Sequence, residues 1–290
     1  MIGCFWLSLS PICVKRTSTT RIDSSGLTPS RNTDKHRGLL ALTILMLMPW
    51  QIARGEPDNG SLVFRENAEF APYLYRHTTA NGKSSGAPQG YIPALLKYFA
   101  DDHGIAIEYR EMPTNRLEAA YVKGQLDAAI LSEKWVSNPD KLVFSQPLGL
   151  YRSVIYTSDM PQRDLVPLMD LKSQYVCAQR GYRYPNLDAI WDTNNLIRVD
   201  FADEKLQLEG LIANRCQYAV MDEAVGRWYG KRVFKQHSFS IVSEESQVPL
   251  TIGFRKEMAH YAELFDSTIS RLKANGELAI LQRVFGVIGN

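Results

Sequence analysis

The chain reads as an α/β protein built from two similar units with a cleft between them. Three observations predict this. Strand-like runs and amphipathic helical runs alternate from Ser61 onward, glycines stand where helical runs stop, and the same alternation starts again after residue 175. Two such units leave a crevice at the carboxyl ends of their strands, where α/β folds collect ligands.

In the first unit, Ser61–Arg65 alternates apolar and polar residues and predicts a strand. A loop rich in Pro, Tyr and Gly is expected from Glu66 to Gly90. Pro93 suits a helix start, and Leu95, Leu96 and Phe99 give that helix one apolar face until Gly104 stops it. Ile105–Tyr109 is a second strand. Thr114 can cap a helix with Leu117, Ala120 and Tyr121 inward, ending at Gly124. Leu126–Leu131 is a third strand, and the succession implies a parallel sheet with right-handed crossovers.

The second unit repeats the logic. Strands are expected at Tyr175–Ala178, Leu196–Val199 and Tyr218–Met221, with a short helix over Pro185–Trp191. A longer helix over Ala202–Asn214 carries Leu206, Leu208, Leu211 and Ile212, and Ala224–Lys231 is helical. Phe239–Val242 and Leu250–Phe254 read as two extended segments. Met258, Tyr261, Leu264, Phe265, Ile269 and Leu272 recur at helical spacing up to Gly276, and Leu278–Phe285 forms a last helix.

With 290 residues, 45% of them hydrophobic, the chain can form proper cores and is neither disordered nor fibrous. The overall charge of +2 conceals an asymmetry: residues 1–55 are net +5 and residues 56–290 net −3. The globular part offers no electrostatic attraction for nucleic acid. Lys35-His36-Arg37 precedes an apolar run over 38–49, and Ala53 and Gly55 lie three and one residues before a cut after about Gly55. This is the pattern of a secretory signal, with a run too short for a permanent anchor. Residues 1–34 are a long polar extension, and translation is expected to start downstream of Met1. The processed chain is expected to be exported, free of membrane spans and monomeric. Cys177 and Cys216 then face an oxidising compartment, either as a disulfide or as two buried thiols. Cysteine spacing and the scattered His77, His103, His237 and His260 fit no metal site, and no cofactor is expected.

Several short motifs, in order, resemble a known family. They are Gly124-Gln-Leu-Asp127-Ala-Ala-Ile, Leu142-Val-Phe-Ser145-Gln-Pro147, Asp170-Leu171-Lys-Ser-Gln-Tyr-Val176, Asn214-Arg215-Cys-Gln-Tyr-Ala-Val-Met-Asp222, and Ile252-Gly-Phe-Arg-Lys256 followed by Leu272-Lys-Ala-Asn-Gly276. From about Ser61 to Gly286 the chain is similar to bacterial extracellular solute-binding proteins of family three, the polar amino-acid type of periplasmic binding protein. The resemblance implies a type II periplasmic-binding fold with two hinge crossovers, near Leu148–Arg152 and Ser246–Leu250. Lobe one is then 61–149 plus 250–290, and lobe two 152–247. It also brings the strands of Cys177 and Cys216–Val220 together, which favours the disulfide.

The resemblance further implies that Asp222, at a strand end, receives a ligand ammonium; the residues equally allow a helix N-cap. Arg116 stands where the family often has an aromatic, and can grip a carboxylate or pair on the surface with Glu111 or Glu118. Gly181, Tyr182 and Arg183 lie in a strand-to-helix loop that in the family holds a carboxylate, and which is otherwise an ordinary turn. Phe70, Tyr73, Tyr75 and Trp135 can wall a small-molecule site or pack beneath the loop, Tyr73 and Trp135 being preferred. Ser132 and Glu133 end the third strand, and Glu223 is a weaker candidate.

Departures from the family pattern matter. The arginine that the family carries six residues before the Phe of its Phe-Ser pair is Asn138 here, and Gln217 replaces an aspartate. The expected function is a non-catalytic periplasmic binding protein for a small polar or anionic, amino-acid-like solute, serving an ABC-type importer's membrane subunits or a sensor. The alternative is a cyclohexadienyl dehydratase-like enzyme on the same scaffold, with Glu133 or Asp222 as acid or base.

Overall fold

The computed structural model describes residues 60–67, 69–78, 84–158, 164–171, 174–193 and 196–288. The predicted secretory leader, residues 1–55, lies outside them. Residues 54–290 form one unit by their internal contacts.

Strand β1 (Ser61–Glu66) buries Leu62 and Phe64 and runs parallel to β5 (Ala106–Glu111) over six residue pairs. Between them the expected loop is instead a three-stranded antiparallel sheet of β2 (Glu69–Phe70), β3 (Leu74–Thr78) and β4 (Ser84–Gln89). Its last strand, Ser-Ser-Gly-Ala-Pro-Gln, has no apolar alternation and is specified by main-chain pairing.

Helix α1 (Tyr91–His103) begins two residues before Pro93 and ends at Gly104 in the left-handed conformation. Its entry depends on Gly90, whose φ is 119° and whose missing Cβ would lie 2.6 Å from the Pro72 and Tyr73 carbonyl oxygens. Those carbonyls accept from the Tyr91 and Ile92 amides at 3.0 and 2.9 Å.

Thr114 caps nothing. Residues Thr114–Arg116 form a 3-10 turn, the α-helix proper is α2 (Leu117–Val122), and the Thr114 hydroxyl accepts from Arg65 instead. Strand β6 (Ala128–Leu131), buried throughout, follows, then β7 (Leu142–Phe144).

The second half starts with β8 (Gly149–Ser158) and β9 (Tyr175–Gln179). Pro185–Trp191 is a run of turns rather than a helix, anchored where Glu245 accepts from the Asn186 amide. Strand β10 (Ile197–Phe201) leads to α3 (Glu204–Ile212), capped by Asp203 accepting from the Leu206 amide at 2.8 Å. This helix turns differently from its hydropathy pattern. Leu208 and Leu211 are buried, but so are Glu204 and Gln207, while Leu206 is exposed. Then come β11 (Tyr218–Asp222), α4 (Glu223–Arg232), β12 (Phe239–Arg255), α5 (Ala259–Ala274) and α6 (Glu277–Phe285).

The large sheet has the order β10-β9-β11-β8-β12-β6-β1-β5, with β7 also on β12. The two extended segments expected at Phe239–Val242 and Leu250–Phe254 are one 17-residue strand. Its first part pairs antiparallel with β8 down to Leu250↔Gly149; from Thr251 it pairs with β6. One strand therefore stitches two half-sheets together.

Cys177 on β9 and Cys216, just before β11, form a disulfide with a Cα separation of 5.6 Å. Their strands are parallel neighbours, with Cys177 opposite Ala219. The bond closes a loop that contains β10 and α3. Among the described residues no helix is long and apolar enough to cross a membrane.

Candidate functional site

The carboxyl ends of β1 and β6 in one half-sheet and of β9 in the other point at a common cavity of about 390 Å³. One wall comes from Arg65, Asn67, Phe70, Leu117 and Trp135, and the facing wall from Tyr151, Ser153, Tyr182, Arg183 and Glu245. The volume lies in the range of small-molecule sites, and the lining is largely aromatic and aliphatic with a few polar groups.

The aromatic rings form a continuous wall. Trp135 meets Tyr151 edge to face with centroids 4.7 Å apart, and Phe70 stacks near Tyr151 at 6.3 Å and on Tyr73 at 5.0 Å. Tyr182 closes the other side, its hydroxyl 3.5 Å from Asn67 Nδ2 across the cavity. Gly181 allows the walls to approach. Its φ is 80°, and an added Cβ would sit 3.2 Å from the Asn115 amide nitrogen opposite.

Arg65 is the charged residue at the root of the site. It is the penultimate residue of β1, just after buried Phe64, and is 9% exposed. Its Nε donates to the Met112 carbonyl at 2.8 Å and its Nη2 to Thr114 Oγ1 at 2.7 Å. Both partners lie in the segment leading to α2, so a planar guanidinium is pinned in one orientation. Sequence reasoning missed it because it read as the polar end of an alternating strand. The available signal was a cation directly following core residues.

The predicted site residues divide. Trp135, Gly181, Tyr182 and Arg183 line the cavity. Tyr73, Arg116, Ser132, Glu133 and Asp222 are not in its lining. Arg116 and Glu133 are solvent-exposed, since each falls on the outer side of a short 3-10 turn. Ser132 is buried beneath, its carbonyl accepting from the Trp135 amide. Glu223 pairs with Arg152 at 2.7 Å and Arg227 at 3.1 Å outside the cavity.

Asp222 takes the N-cap role, one of the two that its position allowed. It is 1% exposed and serves as the N-cap of α4. Oδ1 accepts from the Ala224 and Val225 amides at 2.8 and 3.1 Å and from the Tyr73 hydroxyl at 3.1 Å, while Oδ2 accepts from the Arg152 amide at 3.2 Å. Burial pushes its pKa up to about 7 against these four donors. The hydroxyl that reaches it comes from the turn between β2 and β3 of the small sheet. Beneath Tyr182, Glu204 is 1% exposed and burial lifts its pKa to about 8, with Arg65 pulling the other way.

Among the described residues no group of three or more His, Cys, Asp or Glu is placed to hold a metal ion. A cavity of this kind, with one pinned cation and ring-lined walls, can enclose and orient a small solute. The family profile of bacterial extracellular solute-binding proteins, family 3, matches residues 65–287.

The chain belongs to that family. It is a solute-binding protein, and its fold is that of type II periplasmic binding proteins. An ancestral arginine-binding protein bound to arginine superimposes with a TM-score of 0.66 at 22% identity, over 78% of this chain and 98% of that one. An amino acid ABC transporter substrate-binding protein from Streptococcus pneumoniae, bound to L-arginine, gives 0.64 at 20% identity over 77% and 92%. A histidine kinase sensor domain with similarity to periplasmic binding proteins gives 0.65 at 20% identity over 79% and 97%. No curated protein sequence matches the chain.

Proposed function

We propose that the protein is exported to the periplasm, captures a small polar or anionic solute between two lobes, and delivers it to the membrane subunits of an ABC-type importer. The lobes are residues 61–149 with 250–290, and 152–247, hinged where β8 and β12 run side by side. The observation that carries this reading is the cavity itself: a single chamber walled from both half-sheets, ring-lined and holding a buried cation. Closure over a solute then changes the surface that a membrane partner meets.

Binding without turnover is favoured by the placement of the two carboxylates on which a dehydratase chemistry would draw. Glu133 is exposed and Asp222 is sealed from the cavity by its own donors. The test is native mass spectrometry of freshly purified mature protein together with a thermal-shift screen of polar and anionic solutes. A bound small-molecule mass, or a melting temperature that rises with solute concentration, is the expected result. A screen across all solute classes with no shift and no bound mass overturns the proposal.

A further inference from the structure

Arg65 poses a problem that the protein leaves unsolved. A guanidinium removed from water is normally paired with a carboxylate. Arg65 is 91% buried by its 9% exposure, yet it makes no ion pair within 4.0 Å among the described residues. The adjacent carboxylate, Glu66, is taken by Arg76 on β3 through both oxygens. Arg65 spends its Nε and one Nη2 hydrogen on neutral oxygens, and Nη1 has no hydrogen-bond partner among the described residues. The side chain lines the cavity, so its unused edge is available there.

Carboxylates in the lining do not balance it from inside. Glu245 accepts from the Asn186 and Leu187 amides with one oxygen and from the Ser246 hydroxyl with the other. Glu118 is solvent-exposed and accepts from the Ser137 amide. Asp222 lies outside the lining with four donors. Among the described residues, the cavity thus holds one buried cation with an unused donor edge, Arg65, and one buried carboxylate, Glu245, both of whose oxygens already accept from protein donors. Around that cation stand Phe70, Trp135, Tyr151 and Tyr182.

We infer that the natural ligand is a monocarboxylate on a flat aromatic or conjugated body, held by Arg65 and stacked among the rings, with no ammonium group required. A single negative charge matches the single buried cation, and planar carboxylate geometry suits the remaining guanidinium edge. Ring faces supply the apolar contact that a planar body needs. This rests on the solute-binding reading and narrows its ligand class.

The experiment is isothermal titration of the mature protein with 4-hydroxyphenylpyruvate, tyrosine and tyramine, which share a ring and differ in the charged end. The keto acid is expected to bind at least tenfold more tightly than tyrosine, with tyramine weakest. Arg65→Gln is expected to weaken the keto acid roughly 10- to 100-fold, as loss of a charge-assisted contact does. Arg65→Lys, which keeps the charge but loses the fork, should fall between. Circular dichroism checks that each variant is folded; if Arg65→Gln is not, the wild-type ranking and Arg65→Lys decide. Tyrosine or tyramine binding as tightly as the keto acid, or an unchanged affinity in a folded Arg65 variant, overturns the inference. If all three probes fail but another solute class binds, the inference falls while the solute-binding reading stands. If no solute of any class binds, both fall.

Discussion

Asp222 and Arg65 stand in comparable places, each buried and each at the carboxyl end of a strand, Asp222 as the last residue of β11 and Arg65 as the penultimate one of β1, and the chain treats them in opposite ways. Asp222 is met by four protein donors, one of them reaching across from Tyr73. Arg65 is held by two neutral oxygens and forms no ion pair among the described residues. Both bear the desolvation of a charged group; four donors offset part of it for Asp222, while Arg65 keeps an unused donor edge. Saturation marks a residue that organises the fold, and spare capacity marks one that faces a guest.

Removing Asp222 tests the first half of that contrast and should have the largest effect. Asp222→Ala takes the cap from α4 and leaves the buried Tyr73 hydroxyl without an acceptor. A lost cap and an unsatisfied buried donor together cost about 3 kcal/mol, after relief of the carboxylate's own desolvation. Urea unfolding should show this as a lower midpoint with an unchanged slope. Asp222→Asn, which keeps one acceptor oxygen, should lose about 1 kcal/mol.

The next effect is in pH. Glu204 is buried on the same side as Asp222, and burial lifts its pKa from 4.5 to about 8. Between those values the native state keeps a proton that the unfolded chain has released. Stability is therefore greatest at acid pH and declines as pH rises, by at most about 1.4 kcal/mol per unit for this group. Asp222 acts in the same direction up to about pH 7. In Glu204→Gln the decline should end near pH 7 instead of pH 8, and be shallower below it. Denaturation curves at a series of pH values check this; a profile identical to wild type would place Glu204 in contact with water.

Much of this architecture was legible in the residues. The strand and helix order, the helix stops at Gly104 and Gly276, and a capping role for Asp222 all follow from local chemistry. The Cys177–Cys216 bond was legible only through resemblance, since two cysteines 39 residues apart name no partner by spacing. What stayed hidden shares one physical cause: it is decided by pairing across the fold. Ser84–Gln89 is a strand through its ladder to β3, without an apolar signal. Glu204 and Gln207 are buried and Leu206 is exposed because polar groups from other elements face α3. Arg65 belongs to the same group. Its role is set by the lack of an ion-pair partner among the described residues, which only three dimensions reveal.

Tyr73→Phe probes alone the link between the turn joining β2 to β3 and the end of β11. It removes one hydroxyl from Asp222 and keeps the ring stacked on Phe70. About 1 kcal/mol of stability should be lost. The hydroxyl favours the charged carboxylate, so the Asp222 titration, followed by carboxyl NMR, should move above its present value of about 7. A titration that stays in place would mean that the capping amides alone set the state of Asp222.

The smallest effect on stability should come from Arg65, and its smallness is what makes the contrast sharp. Arg65→Gln forfeits hydrogen bonds to the Met112 carbonyl and Thr114 hydroxyl, a loss of about 1 kcal/mol each if nothing replaces them. It also removes a buried charge that forms no ion pair among the described residues, and that relief has the opposite sign. Glutamine's amide can still donate to one of the two oxygens. Ligand-free protein should therefore unfold within about 1 kcal/mol of wild type, although binding is impaired. A loss near 3 kcal/mol, equal to that of Asp222→Ala, would show that Arg65 is as much a structural residue as Asp222, and the division between a saturated and an open buried charge would disappear.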